Sequence, residues 1–162
     1  MSAILPIFTK MEDLNKPQLI RAGFSVDERG RVTFCNEFDF KDKGIRRFYM
    51  LENTSLDTIR AFHGHLHESK YVLLVSGRAM VCAAKFDPAK KPEAKDVTMF
   101  VLSAKEPSIL YIPKGFANGS RFLEENTRVM VFSDVSLEES KKDDYRLPYD
   151  YWGKEIWSLD RS

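Results

Sequence analysis

The sequence is poor in the features that mark several common classes of protein. It has two cysteines among 162 residues and no Cys-x-x-Cys pair, which is too few for a disulfide framework. No apolar run approaches the roughly 18 residues of a membrane-spanning helix, and Pro6 followed by charges interrupts any signal-peptide pattern. The 25 Lys and Arg residues nearly balance the 24 Asp and Glu residues, so we expect no attraction to nucleic acid or to an anionic membrane. These absences favour a cytoplasmic protein that binds neither nucleic acid nor membranes.

Short segments in which apolar and polar residues alternate dominate the chain. Alternation with a period of two, together with many β-branched and aromatic residues, is typical of half-buried β-strands. At 162 residues the chain is long enough for a single core, and we expect one domain over residues 1–162. So many short strands with little helix between them indicate an all-β sandwich or barrel. The predicted strands cover residues 19–26, 31–40, 45–51, 58–64, 71–76, 79–86, 98–102, 109–112, 120–123 and 128–133.

The chain changes character from residue 137, where charged and aromatic residues replace the alternating pattern. Residues 138–142 have the charge pattern of a helix, although a solvated turn fits that pattern equally well. We therefore expect short helical segments near the C-terminal end, packed on the outside of the strands.

All three histidines of the chain, His63, His65 and His67, lie within five residues of one another and near Arg60 and Lys70. Alternate residues of a regular strand share one face, so the three imidazoles would point the same way. This concentration of imidazole beside two cations favours a functional site over a surface strand with incidental histidines.

The spacing of this cluster resembles the first sequence motif of the cupins. In that motif two histidines separated by one residue precede a glutamate and then a glycine, which correspond to His63, His65, Lys70 and Gly77 here. The resemblance implies a double-stranded β-helix, the jelly roll of the cupins.

The segment Pro113-Lys-Gly115-Phe-Ala-Asn118 resembles the second cupin motif, with Asn118 in place of its histidine. Lys70 likewise stands where the first motif has its glutamate. An ammonium group repels a divalent metal, and an amide is a poorer ligand than imidazole for iron, manganese or zinc. We therefore expect no metal at this site.

Four elements in order are similar to the RmlC-like cupins, the dTDP-4-dehydrorhamnose 3,5-epimerase family, over most of the chain. One stretch also matches the Arg-Gly-x-His-Ala-His signature of the related sugar 3,4-ketoisomerases, and Asp143-Asp144-Tyr145-Arg146 is similar to a run in their ending. The first and last elements, however, favour the epimerases. The four elements are Asp27-Glu-Arg29-Gly30 with Phe34, Asn53-Thr-Ser55 through Arg60-Ala-Phe-His63 to Lys70-Tyr-Val, Ile112 to Gly119, and Asp150 to Trp157.

This resemblance implies a substrate, a nucleotide-diphosphate-linked 4-keto-6-deoxyhexose, and no cofactor. A ketone at C4 acidifies the hydrogens on C3 and C5, so a positioned base can form an enolate. His63 is the expected base, because imidazole titrates near pH ~6.5, and Lys70 is expected to stabilise the enolate. His65, Tyr71 or Tyr111, or else water, would then return the proton.

Recognition of the nucleotide is expected from three residues. Arg60 would clamp the diphosphate, since its planar guanidinium can bind two phosphate oxygens at once. Arg29 would help to hold the diphosphate, and Phe34 would stack on the base. On a regular strand Arg60 and His63 face opposite sides, so we expect a bulge near Ala61 or Gly64, or a site at the strand end.

Three positions depart from the epimerase pattern. Phe132 lies within one residue of the family's tyrosine, which returns a proton on the opposite face, and Asn118 replaces the second histidine of the substrate pocket. The resemblance implies that both side chains contact the substrate. Asp160 is the candidate for the aspartate that pairs with the base. Because these changes remove proton carriers, we expect inversion at C3 alone, rather than at C3 and C5, in deoxysugar synthesis for O-antigen-type polysaccharides.

Two other functions remain open at this stage. A ketoisomerase would move the ketone from C4 to C3. A non-catalytic sugar-binding cupin would catalyse neither this reaction nor epimerisation. The resemblance further implies a homodimer with its first strands exchanged between subunits.

Overall fold

The computed structural model describes residues 7–8 and 13–159. Its strands are β1 (Ile7–Phe8), β2 (Gln18–Arg21), β3 (Gly23–Asp27), β4 (Gly30–Phe34), β5 (Arg47–Leu51), β6 (Ile59–His65), β7 (Lys70–Ser76), β8 (Arg78–Lys85), β9 (Val97–Ser103), β10 (Ser108–Ile112), β11 (Phe116–Phe122), β12 (Arg128–Ser133) and β13 (Tyr145–Arg146). The helical elements are α1 (Leu137–Lys142) and 3-10 turns at Ala94–Asp96 and Lys154–Trp157.

Two sheets pack face to face in a jelly roll. The six-stranded sheet has the order β1-β2-β10-β7-β12-β5, and the five-stranded sheet has the order β13-β6-β11-β8-β9. Strands β3 and β4 form a separate two-stranded hairpin. The predicted all-β cupin fold with short C-terminal helical segments is confirmed.

The core between the sheets consists of side chains that alternate along each strand. Val72 and Leu74 of β7 and Leu110 of β10 face Val81 and Ala83 of β8 in one buried cluster. Burial of such aliphatic side chains is the main favourable term in folding, at roughly 25 cal/mol per Å² of apolar surface. The sheets are thereby held face to face, with room between them at one end for a site.

The outer faces of both sheets are also apolar and covered. Phe62, Trp152 and Trp157 pack together on the five-stranded sheet, where the C-terminal segment lies. Tyr71 and Tyr111 pack on the six-stranded sheet under the segment that follows β4. Parts of both sheets, including most of β7, are therefore buried on both faces, so hydrophobicity alone does not show which side of such a strand faces a cavity.

Several predicted strand bounds differ from the structure for local reasons. The segment 19–26 divides at Ala22, whose amide donates to Pro107 O instead of continuing one ladder. The segment 31–40 ends at Phe34, and Asp39 Oδ1 then accepts from the amides of Lys41 and Asp42 in a turn. Strand β11 starts before the predicted residue 120, and β1 and β13, at two residues each, are too short to show alternation.

The helix expected over 138–142 is present as α1. Ser136 caps it: its hydroxyl accepts from the Glu139 amide at 3.2 Å, and Glu139 Oε2 accepts from the Ser136 amide at 2.8 Å. Such a reciprocal capping box satisfies two of the amides that a helix start leaves unpaired. None of the described helices is long and apolar enough to cross a membrane.

Candidate functional site

A cavity of about 820 Å³ lies between the two sheets. Ligand pockets usually measure roughly 300–1,000 Å³, so this one has room for a molecule the size of a nucleotide sugar. Strands of both sheets and α1 supply its walls. Its apolar lining comprises Leu51, Ile59, Val72, Val81, Val129, Val131 and Leu137, and its charged lining comprises Arg47, Arg60, Lys70, Lys141, Asp144 and Arg146.

A β-bulge in β6 places Arg60 and His63 on the same side of the strand. On β11, Asn118 pairs with His63 and Ser120 pairs with Arg60, so three steps along β6 match two along β11. Both side chains line the cavity. The bulge expected near Ala61 is therefore confirmed.

Gly119 makes the bulge possible. A Cβ atom at this position would lie 2.5 Å from the Ala61 Cβ and 2.9 Å from the Arg60 carbonyl oxygen. Carbon atoms do not approach so closely without displacement. The two backbones can pack here because residue 119 has no side chain.

His63 faces a carboxylate from the C-terminal segment. Its Nδ1 atom lies 3.6 Å from Asp144 Oδ1, and Asp144 Oδ2 accepts from Arg146 Nε at 3.0 Å. Strand β13 brings these residues there by pairing Tyr145 with Gly64 and Arg146 with His63. The aspartate expected to pair with the base was Asp160, which lies outside the described residues.

Burial lowers the pKa of His63, and the charge of Lys70 lowers it further, while Asp144 opposes both effects. Burial alone would raise the pKa of Asp144, but Arg146 and His63 hold it below its ordinary value. His63 is thus a neutral imidazole beside an ionised carboxylate at neutral pH, which is the state of a general base.

His65 shares the cavity face with His63, but His67 does not. The side chain of His65 lines the cavity, whereas His67 is exposed beyond the end of β6. The Asp143 carboxylate ends the strand by accepting from the amides of Leu66 at 2.9 Å and His67 at 2.7 Å. A regular strand through all three histidines is therefore not formed.

Lys70 begins β7 and extends into the cavity, with 6% of its surface exposed. Burial lowers the pKa of its ammonium group, while the charge of Glu68 raises it. A cation enclosed in this way interacts strongly with any negative charge that develops nearby, because little water screens it.

Arg60 and Asn118 occupy cavity positions on neighbouring strands. Arg60 is exposed, and its guanidinium donates from Nη2 to Glu52 O at 3.0 Å and from Nε to Asn53 Oδ1. Asn118 Nδ2 donates to His63 O at 3.5 Å. Cations outnumber the carboxylate in the lining of the described chain, so the cavity favours an anionic ligand.

Tyr71 and Phe132 lie away from this cavity, which corrects their expected placement in the substrate pocket. Residues alternate between the faces of β7, so Tyr71 points to the opposite side from Lys70 and Val72. The Tyr71 ring instead contacts Phe38 at 5.1 Å, and Tyr111 belongs to the same outer cluster. None of these three aromatic residues lines the site.

Arg29 and Phe34 also lie outside the cavity of their own chain. They belong to the β3–β4 hairpin, which pairs with neither large sheet. The Arg29 guanidinium is exposed and paired with Asp27, and the Phe34 ring lies against Gly23.

Tyr49 is a cavity residue that sequence reasoning missed. Burial raises the pKa of its phenol to about 12, and the charge of Glu68 acts in the same direction. The alternation of β5 held a signal for it, since Arg47, Tyr49 and Leu51 share the cavity face while Phe48 is exposed.

Comparison with known proteins supports the fold and the family. The family model described as dTDP-4-dehydrorhamnose 3,5-epimerase matches residues 12–150. The spore coat polysaccharide biosynthesis protein SpsL of Bacillus subtilis is 30% identical over 94 residues, which are 57% of this chain and 61% of that protein. The chain thus matches less than two thirds of that relative's length.

Solved structures of two activities share the jelly roll. A 3'-monoepimerase from Streptomyces bikiniensis has a TM-score of 0.71 at 12% identity, covering 89% of this chain and 76% of its own. A sugar 3,4-ketoisomerase from Thermoanaerobacterium thermosaccharolyticum has a TM-score of 0.61 at 17% identity, covering 88% of this chain and 97% of its own. Since the family model spans most of the sequence, the chain belongs to the dTDP-4-dehydrorhamnose 3,5-epimerase family.

Proposed function

We propose that the protein epimerises C3 of a nucleotide-diphosphate-linked 4-keto-6-deoxyhexose. One observation carries this proposal: an imidazole paired with a carboxylate, a buried ammonium group and an exposed guanidinium line the same cavity. These groups are His63 with Asp144, Lys70 and Arg60. Together they provide a base, a stabilising charge for an enolate and a clamp for phosphate.

The proposed reaction begins when neutral His63 removes the proton from C3, next to the C4 ketone. The electron pair moves onto the ketone oxygen, where the Lys70 ammonium stabilises the enolate charge. Asp144 orients the His63 imidazole and offsets the positive charge that the imidazole gains. Return of a proton to the other face of C3 completes the inversion, with the ketone still at C4.

The diphosphate would bind at Arg60. Its guanidinium is already oriented by Asn53 and by the Glu52 carbonyl, which reduces the entropy lost when a phosphate binds. Asn118, beside His63, would contact the sugar.

No metal takes part in the proposed reaction. Lys70 and Asn118 occupy positions from which a metal-binding cupin donates ligands, and an ammonium group disfavours a divalent cation there. Activity should persist after dialysis against a chelator, and a stoichiometric metal whose removal abolishes turnover would disprove this point.

We further propose a homodimer in which the β3–β4 hairpin brings Arg29 and Phe34 to the partner's cavity. Support comes from the exposed apolar side chains Phe24, Val26 and Val32 on that hairpin, which lie outside both sheets. Light scattering should give twice the chain mass. Val32→Glu should reduce that mass if the hairpin forms the contact, whereas Leu159→Glu, a charge at another exposed position, should leave it unchanged.

The product would serve deoxysugar synthesis for a polysaccharide of the O-antigen type, in the cytoplasm. The similarity to a spore coat polysaccharide biosynthesis protein supports this assignment of pathway class.

The direct test is incubation with 4-keto-6-deoxy sugars on different nucleotides in D₂O, followed by NMR. Epimerisation predicts deuterium at C3 and a ketone that stays at C4. Deuterium at both C3 and C5 would show a double epimerase instead.

A 3,4-ketoisomerase is the second candidate, favoured by the presence of both His63 and His65 on the cavity face. It would transfer hydrogen from C3 to C4 and leave the ketone at C3, which the same NMR experiment distinguishes by the carbonyl carbon. A sugar-binding protein without activity would bind the nucleotide sugar and exchange no carbon-bound hydrogen.

A further inference from the structure

Glu68 lies in the turn between β6 and β7, and its carboxylate is enclosed, with 1% of the side chain exposed. Oε1 accepts from Ser133 Oγ at 2.7 Å and from Arg47 Nη2 at 3.0 Å. Oε2 accepts from Ser140 Oγ at 2.8 Å and lies 3.1 Å from His65 Nδ1. A buried carboxylate is costly unless donors surround it, and here four elements of the fold supply them.

The charges around this pair fix its protonation. Burial raises the pKa of Glu68, but Lys70, Ser133 and His65 bring it below its usual value, so the carboxyl is ionised. Burial and Lys70 lower the pKa of His65, and Glu68 and Asp143 oppose them, so the imidazole is neutral at neutral pH. A neutral imidazole carries one proton, and an adjacent carboxylate determines which nitrogen holds it.

The buried Nδ1 atom of His65 makes no well-aligned hydrogen bond to any described residue. The Glu68 oxygen at 3.1 Å is therefore the acceptor available to an Nδ1 proton. With the proton held there, the lone pair of the neutral imidazole is on Nε2.

We infer that Glu68 is the positioning residue for His65, whose Nε2 exchanges a proton with the substrate in the cavity. The inference rests on the proposed function and names a second proton-transfer group in the cavity. Neutral His65 gains a proton at Nε2, from the carbon or from water, and the imidazolium that forms gives this proton to the enolate or back to water, while Glu68 stays ionised throughout. Tyr71 and Tyr111, on the far side of the six-stranded sheet, are thereby replaced in this role.

The first test needs no substrate. NMR of protein labelled with ¹⁵N at its three histidines reports which nitrogen of each imidazole carries the proton. His63→Asn and His67→Asn identify the His65 signals by elimination. We expect His65 in the wild type to be protonated on Nδ1, and Glu68→Gln to shift its signals toward the Nε2-protonated form. Protonation of wild-type His65 on Nε2 would overturn the inference, whether or not Glu68→Gln folds.

The second test measures net inversion at C3 in a double-mutant cycle. Removing the carboxylate partner of a metal-ligating histidine costs roughly 10–100-fold, and we expect a loss of that order in the inversion rate for Glu68→Gln. In a His65→Asn background, Glu68→Gln should cause no further loss, because its effect passes through His65. An equal loss in both backgrounds would mean that Glu68 acts through Lys70 or through the fold, which would refute the inference.

Glu139→Gln is the matched control. It removes a carboxylate charge on α1 that pairs with Arg46 but lies outside the cavity, and the inversion rate should be unchanged. If wild-type His65 is protonated on Nδ1 but C3 does not exchange, the proposed reaction is wrong and the pairing of Glu68 with His65 stands. If C3 exchanges but His65 is protonated on Nε2, the proposed reaction stands and the pairing is wrong.

Discussion

The two cavity histidines differ in accessibility, and this difference separates their roles. The His63 side chain is 45% exposed and that of His65 is 5% exposed. A substrate can approach His63 directly, whereas His65 is held deep in the site by Glu68. We therefore assign proton abstraction to His63.

Replacing His63 with Asn should abolish deuterium exchange at C3. Asn keeps a polar group of similar size but has no nitrogen that accepts a proton at neutral pH, so the exchange rate should fall on the order of 10²-fold or more. NMR in D₂O measures this rate even when net inversion is too slow to detect.

His67→Asn is the matched control for this experiment. His67 is exposed beyond the end of β6, so its replacement should leave exchange at the wild-type rate. If His65→Asn abolishes exchange while His63→Asn retains it, the base is misassigned.

Asp144 should affect the pH dependence of the reaction. Its charge raises the pKa of His63, so Asp144→Asn should lower that pKa further. A base must be unprotonated to act, and a lower pKa keeps it unprotonated at more acidic pH. The acidic limb of the kcat/KM profile should move to lower pH, while the maximal rate falls because the imidazole loses its orienting partner.

A shift of that limb to higher pH would contradict the pairing of His63 with Asp144. Glu93→Gln offers a control, because that carboxylate pairs with Lys95 before β9 and does not line the cavity.

The site residues that belong to the sequence motifs could be predicted, whereas those that other strands and turns bring to the cavity could not. His63, His65, Lys70, Arg60 and Asn118 all line the cavity, as their spacing implied. Asp144 and Glu68 were missed because a contact between a carboxylate and an imidazole depends on a strand pairing and a turn. Neither is visible in the order of residues.

At the scale of elements, the bulge in β6 connects the fold to the site. Without it, Arg60 would face the outer layer and the phosphate clamp would be lost. The need for a bulge could be predicted, because two residues three apart had to share one face. The dependence of the bulge on Gly119 of the neighbouring strand could not be predicted, because it follows from the register in which β6 and β11 pair.

Gly119→Ala should destabilise the protein and weaken binding of a nucleoside diphosphate. The added methyl group would lie 2.5 Å from the Ala61 Cβ, and overpacking of this kind costs about 1–3 kcal/mol of unfolding free energy. Movement of β6 away from β11 would disturb the bulge that places Arg60 and His63 on one side of β6. Thermal unfolding and titration calorimetry measure the two effects.

A second substitution tests the cause. Ala61→Gly in the Gly119→Ala background removes the closest of the clashing atoms and should restore part of the stability and affinity. Unchanged stability in the single variant would show that the two strands do not pack as tightly as described.

The strands whose two faces could be predicted are those with one buried and one exposed face. Residues 128–133 alternate clearly, and β12 has these bounds. Tyr71 was misplaced because β7 is buried on both faces, so apolarity could not show which face lines the cavity. Which face is inside depends on how the sheets stack, a property of the whole chain.

At the scale of the whole molecule, the site reduces the stability of the fold in acid. Burial lowers the pKa values of His63 and His65 below the ordinary 6.5. The unfolded chain therefore binds more protons than the folded one as the pH falls below about 6.5, and stability rises with pH in that range. His65 should dominate, because solvent screens the charge of the more exposed His63.

We expect the urea midpoint to decrease between pH 7.5 and pH 5.5, a range in which ordinary carboxyl groups stay ionised. His65→Asn should make this decrease smaller, because Asn binds no proton in either state, while His67→Asn should leave it as in the wild type. A decrease of equal size in all three proteins would mean that His65 accepts a proton without cost. Such a result would show that His65 is not buried against Glu68 in the folded protein. The proposed role of His65 as a second proton-transfer group would then lose its structural basis.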